Sequence, residues 1–315
     1  MFKNYKAVII LSALLLLSYN SRAQEAIAID QIVNSDEEIT VRDISKVNQA
    51  IIISDTLNGW DYSWVGGLNG SQASYSNWSQ GGVNTISATS STVFDALYRN
   101  GRYGYGLSTN LKYGKARIAG DGARKTDDRI AINNKFSYRF ADERWNAFAN
   151  INFSTQFDQG FDYDVADDED AILISEFFAP AYFTQIAGIG YVPNDYFTAD
   201  AGLAMKQTVV LNDSLSTRYG LNTGDNFRFE PGYALGLGFE KEIFKNLELI
   251  SSLETFTNLQ RHIDRTDITF TNELIGTINK FLNMSLQFVV VYNDDFSNRA
   301  QIKQVLSAGL SFSIL

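Results

Sequence analysis

The sequence contains no cysteine, three prolines and one histidine. Without cysteine there is neither a disulfide framework nor a thiolate metal site, so stability must come from elsewhere. Net positive charge is missing too: 26 basic against 36 acidic residues give −10, an unfavourable balance for binding nucleic acid. The chain also lacks an apolar run of membrane-helix length. AVIILSALLLL at residues 7–17 falls short of the roughly 20 residues a spanning helix needs.

That run lies between Lys3 and Lys6 on one side and Ser21 and Ala23 on the other. It reads as a secretory signal peptide over residues 1–23, cut after Ala23, with no cysteine behind it to carry a lipid anchor. Cleavage removes Lys3, Lys6 and Arg22 and no acid, which leaves the exported chain more acidic still. Residues 24–58 carry Asp30, Asp36, Glu37, Glu38 and the apolar patch AIIIS, and are expected to form a periplasmic extension. After Gly59 the pattern changes.

What is abundant is glycine and aromatics: 23 Gly, 22 Phe and 16 Tyr, the usage of β-structure. Period two runs throughout. Residues 102–115 set Tyr103, Tyr105, Leu107, Leu111 and Tyr113 against Gly104, Gly106, Ser108, Asn110 and Lys112. Residues 281–295 set Leu282, Met284, Leu286, Phe288, Val290 and Tyr292 against Asn283, Ser285 and Gln287. About twelve such segments follow one another between residues 60 and 315, most running ten to fifteen residues. That exceeds the usual strand of about five or six and suits a tilted membrane strand of about nine to eleven. Tight turns at 100–101, 141–144, 193–196, 244–246 and 279–281 alternate with longer loops near 73–82, 117–125, 159–178, 212–227, 261–265 and 294–300. Short turns on one side and long loops on the other are the pattern of an all-β, integral outer-membrane antiparallel barrel over residues 59–315, with both termini in the periplasm.

The charged residues within these segments are Lys112, Lys135, Arg139, Lys206, Glu230, Glu240, Glu254 and Glu273. Each would cost a few kcal/mol facing lipid near the midplane, so they are expected in the lumen as candidate selectivity residues, with pairing among themselves the default. The final residues, SAGLSFSIL, resemble the terminal strand signal read by the barrel-assembly machinery, with Leu315 in place of the usual aromatic.

The segment VGGLNGSQASYSNWSQGGVNTIS at residues 65–87, with YGKAR at 113–117, RKTDD at 124–128, FSTQFDQG at 153–160 and the ending QIKQVLSAGLSFS from Gln301, resembles a Bacteroidetes-type family called domain of unknown function 3078. The resemblance spans roughly residues 59–315 and implies an outer-membrane barrel with no established activity. Asn77, Trp78, Gly81 and Gly82 are its signature loop.

Three other clusters carry residues with potential chemistry. An acyl-transfer centre needs a base beside a serine, but the single histidine, His262, has Asp264 where that serine would stand, and Ser251 and Ser252 are half a strand away. No enzyme is expected. The acidic loop with Asp162, Asp164, Asp167, Asp168 and Asp170 could offer oxygen ligands to Ca²⁺, but lacks the order of a calcium-binding loop; a solvated loop is the plainer expectation, and no other cofactor is implied. Trp60 and Trp145 begin strands and read as interfacial anchors, whereas Trp78 sits beside two glycines in a loop that either folds in or meets a ligand. The expected function is a narrow passive channel for small polar solutes. The alternative is a non-conducting accessory subunit of an outer-membrane assembly, whose partners are membrane lipid and other outer-membrane or periplasmic proteins.

Overall fold

A computed structural model describes residues 58–73, 84–120, 122–163, 171–260, 266–293 and 297–313. The signal peptide, the extension, Asn77, Trp78, Gly81, Gly82, His262, and Asp164, Asp167, Asp168 and Asp170 lie outside them.

The alternating segments form strands because an extended chain puts successive side chains on opposite faces. In chain order they are β1 (Gly59–Ala73), β2 (Thr85–Asn100), β3 (Tyr103–Ile118), β4 (Gly122–Arg139), β5 (Trp145–Thr155), β6 (Gly160–Asp162) and β7 (Ile172–Ser175). There follow β8 (Ala181–Asn194), β9 (Phe197–Val209), β10 (Phe227–Phe244), β11 (Leu247–Asn258), β12 (Asp267–Thr277), β13 (Leu282–Asn293) and β14 (Ser297–Ser313). All but β6 and β7 pair with their neighbours in an antiparallel ring of twelve that closes from β14 back onto β1. Closure gives every strand two partners and leaves no sheet edge running the length of the wall.

The two faces differ as the alternation requires. Outward stand Trp60, Leu68, Phe136, Leu203, Leu237, Phe270 and Leu306, all exposed. Inward stand Ser108, Asn133, Lys135, Asn150, Asn152, Glu230, Ser252 and Thr271, all buried. A soluble protein does not present so continuous an apolar belt to water. The inversion of inside and outside is that of a transmembrane barrel, and Leu286, Phe288 and their neighbours on β13 face hydrocarbon.

Aromatic rings collect near the end where the short turns lie. Trp60 stacks on Tyr62 and tilts against Tyr98, Tyr103 meets Tyr138, Tyr105 meets Phe136, and Trp145 meets Tyr191 at 4.5 Å. This is an interfacial girdle. On the same outer face Trp64 donates its indole N–H to Thr92 Oγ1 at 2.8 Å, which satisfies a group that lipid could not. The turns at this end are residues 101–102, 140–144, 195–196, 245–246 and 278–281. Gly101 (φ 57°) and Asn246 (φ 63°) supply the left-handed corners of two of them, the conformation that glycine and asparagine adopt at least cost. In another, Arg144 grips Asp142 through Nε and Nη2 at 3.0 and 2.8 Å, and these hydrogen bonds hold the Asp142 carboxyl below its ordinary range.

At the opposite end the connections are uneven. Residues 117–125, expected as a loop, are mostly strand: β3 and β4 continue as a paired hairpin as far as Ile118 and Gly122. β4 meets β5 only from Ile130 with Thr155 onward, while β3 stays paired to β2 as far as Ile118 with Thr85, so the wall formed by β1 to β4 rises above β5. Residues 156–163, 171–180 and 210–226 lie beside it, with the paired strands β6 and β7 and a 3₁₀ helix, Asp213–Tyr219. Ala179, Val210, Leu215, Tyr219 and Leu221 form an apolar cluster here, with Leu173 against it. Tyr219 donates to the Ile174 carbonyl at 2.7 Å, fastening the helix to β7. The packed apolar core of this protein thus sits in its cap, while the ring encloses polar side chains.

Candidate functional site: a charged lumen

Register puts all eight of the predicted charged residues on the inward face, but they do not form one group. Arg139 stays at the turn end, 3.5 Å from Glu143. Glu240 and Glu273 lie in the same half of the bore, Glu240 opposite Ile250 and Glu273 opposite Gln287. Glu230 is buried toward the cap, 3.0 Å from Arg228 and accepting from Asn258 Nδ2 at 2.9 Å. Lys206 stands directly opposite Glu230, while Lys112 lies opposite Arg129, Lys135 opposite Asn150 and Glu254 opposite Gly236.

Partners for the three lysines come from residues the sequence did not single out. Lys135 on β4, 2% exposed, reaches Asp200 on β9 at 2.9 Å. Lys206 on β9 reaches Asp267 at the start of β12 at 3.0 Å. Lys112 pairs with Asp127 at 2.9 Å, and Lys303 on β14 approaches the same carboxylate at 3.9 Å. Three of these contacts are chords: they join strands that are not neighbours in the ring. Alternation could have placed Asp200 and Lys303 on the inward face, since both sit in phase with small or polar residues. It carries no information about which wall a side chain reaches.

The first chord depends on a glycine. A Cβ on Gly190 would lie 2.6 Å from Asp200 Oδ1 and 2.7 Å from Asn146 Nδ2, so the absence of a side chain there is what lets the carboxylate cross β8. Lys135 Nζ also rests 4.4 Å from the centre of the Phe148 ring. Lys206 Nζ lies between Tyr182 and Phe256, 5.6 Å from each. Both ammonium groups therefore combine a carboxylate with an aromatic face, an arrangement that favours a partly desolvated cation.

The chords leave space. A cavity of about 230 Å³ is lined by Asn150, Asn152, Tyr182, Asp200, Lys206, Glu254 and Asp267 among others. A smaller one of about 80 Å³ lies by Lys112, Asp127, Arg129, Gln156 and Lys303. Among the described residues no three His, Asp or Glu side chains come together as a metal site. Asp162, the one residue of the proposed calcium loop that is described, closes β6.

Above the lumen, residues from separate parts of the chain converge on Asp158. It accepts from the Tyr113 hydroxyl and meets Lys115 at 3.1 Å. Lys125 donates to the Asp158 carbonyl at 2.9 Å and pairs with Asp128 at 3.1 Å. Asp128 accepts from the backbone N–H groups of Phe157 and Asp158, both at 2.8 Å. The Tyr113 hydrogen bond, with Lys115 assisting, holds the Asp158 carboxyl down at about 2. These residues belong to YGKAR, RKTDD and FSTQFDQG, and Lys303, which approaches Asp127, belongs to the QIKQ ending. Four of the five pieces that carried the family resemblance are thus linked in space, three of them around the top of β3 and β4.

Residues 71–161 match the family model described as protein of unknown function (DUF3078). The matched stretch holds β2 to β5, the Lys112–Asp127 pair, Lys135 without its partner Asp200, and the Asp158 network. No curated protein matches the sequence. Among solved structures, the translocator domain of the autotransporter NalP from Neisseria meningitidis is similar at 11% identity and a TM-score of 0.43, over 86% of this chain and 93% of that one. The COG4313 outer membrane channel from Pseudomonas putida F1 is similar at 10% identity and 0.40, over 82% and 97%. The outer membrane channel DcaP of Acinetobacter baumannii is similar at 11% and 0.35, over 81% and 98%.

Proposed function

We propose that this protein is a narrow passive channel of the outer membrane, admitting small polar solutes through the barrel. The observation that carries this reading is the interior. A closed ring of twelve strands surrounds polar and charged side chains and a cavity of about 230 Å³, space that a bore wholly filled by its own side chains would not leave. The chords from Lys135, Lys206 and Lys303 divide the bore and set a small size limit. Their alternating charges offer a passing solute ligands of both signs, and Lys112 and Glu240, at different heights in the bore, contribute to selectivity.

The test is single-channel recording of the refolded mature chain in a planar bilayer. Small, steady conductance steps are expected, with ion selectivity shifted in opposite directions by Lys112→Ala and Glu240→Ala. A silent bilayer, with folding shown by resistance to unfolding in cold detergent, would overturn the channel reading.

A further inference from the structure

Within the larger cavity one carboxyl group makes no ion pair. Asp200 is matched by Lys135 and Asp267 by Lys206. Glu254, on β11, has Gly236 and Thr269 as its cross-strand neighbours and makes no hydrogen bond or ion pair with a described residue. Gly236 leaves the space before it open, since a Cβ there would meet nothing closer than 3.9 Å.

A second observation points the same way. Asn150 and Asn152, 6% and 5% exposed, line the same cavity. Their carboxamide oxygens have no hydrogen-bond partner, although buried polar atoms are nearly always satisfied. The cavity wall therefore presents one carboxylate and two orphan acceptors, beside the Tyr182 and Phe256 rings on which Lys206 already rests. A ligand that answers all of these is positively charged, rich in N–H donors and compatible with a ring face.

We propose that this cavity is a binding site for a small organic ammonium ion, held by Glu254 and by the oxygens of Asn150 and Asn152. Lys206 shows the chemistry at work, its own ammonium group lying between those same two rings. A bare divalent metal fits less well, because the described residues bring no three carboxylate or imidazole ligands together. The cavity, at about 230 Å³, has the volume of seven or eight waters in the liquid at about 30 Å³ each, enough for an alkylammonium and a few waters. The inference rests on the channel reading only for how the ion enters.

The experiment is isothermal titration of the folded, detergent-solubilised mature chain with methylammonium chloride, and with sodium acetate as the anionic control, at about pH 8, where ordinary carboxylates are ionised. Saturable millimolar binding of methylammonium without binding of acetate is expected, weakened at least about tenfold in Glu254→Gln and a few-fold in Asn152→Ser. Since the second variant leaves the charge in place, it keeps the test informative if the first fails to fold. Absence of methylammonium binding, equal binding of acetate, or unchanged affinity in both variants would overturn the proposal. Binding in a protein that is silent in the bilayer would instead overturn the channel reading and leave this site standing. Conductance without binding would do the reverse.

Discussion

Lys135 is the residue on which the interior turns. Its ammonium group is 2% exposed, and its partner Asp200 is 20% exposed, so the two are not equivalent in what their loss would cost. Asp200→Asn leaves a buried cation without its counterion and should destabilise the barrel by about 3 kcal/mol, seen as a lower urea midpoint in lipid vesicles. Removing both charges, as in Lys135→Met with Asp200→Leu, should recover most of that loss, since an apolar pair needs no counterion. Gly190→Ala tests the same contact without touching a charge. The added methyl would meet Asp200 Oδ1 and Asn146 Nδ2 at 2.6 and 2.7 Å, and should reproduce a large part of the Asp200→Asn effect. A wild-type midpoint in that variant would mean that the carboxylate can reach Lys135 by another path.

Among the elements, β13 and the cap make separate predictions. On β13, Leu286 and Gln287 are adjacent in sequence but stand on opposite sides of the wall. Leu286→Arg should cost about 2–4 kcal/mol if it lies near the bilayer midplane, while Gln287→Arg, on the lumen side, should be close to neutral. Equal costs would contradict the facing of the whole strand. The cap is tied down through Asp158, whose carboxyl is held at about 2, below the roughly 3.9 of an unstructured aspartate. Because the folded value is the lower one, its contribution is fully present above about pH 4 and is lost as the pH falls toward about 2. The side chain is 42% exposed, so solvent screening reduces the contribution to about 1 kcal/mol at most. Asp158→Asn should therefore hasten proteolysis of residues 156–180 at neutral pH without moving the barrel's own unfolding. Protection that persists unchanged would assign the fastening to the apolar cluster around Tyr219 instead.

For the whole molecule the weakest line is the closure. β1 pairs with β14 through five register pairs, from Val65 with Ser313 to Asn69 with Gly309, whereas β1 pairs with β2 along its full length. Gly309 permits that closure, because a Cβ there would run into the Asn69 side chain. Gly309→Val should open the seam first and lower the temperature of the heat-induced gel-mobility shift by about 5 °C, the scale of a 1–2 kcal/mol loss in a domain of this size. A shift no larger than that of a lipid-face control such as Leu306→Val would place the weak line elsewhere.

How much of this was legible beforehand follows from the range over which each signal acts. Alternation is a property of neighbouring residues, so the sequence alone determined where the strands run, which side chains face inward, and that a chain of long half-apolar strands has to close on itself. The eight inward charges and the outward Leu282 to Tyr292 series are of this kind. It misread residues 117–125 as a loop, because β3 and β4 continue there as strands held by backbone pairing to one another and to β2, which composition does not reveal. The tertiary structure alone decided which charges meet: Lys135 with Asp200, Lys206 with Asp267 and Lys303 with Asp127. Those pairs cross the bore, and which groups meet across it depends on the strand number and stagger with which the ring closes. The same is true of Glu254, whose inward direction can be read from its place in the strand, while its lack of an ion pair among the described residues emerges only once the other walls are in position.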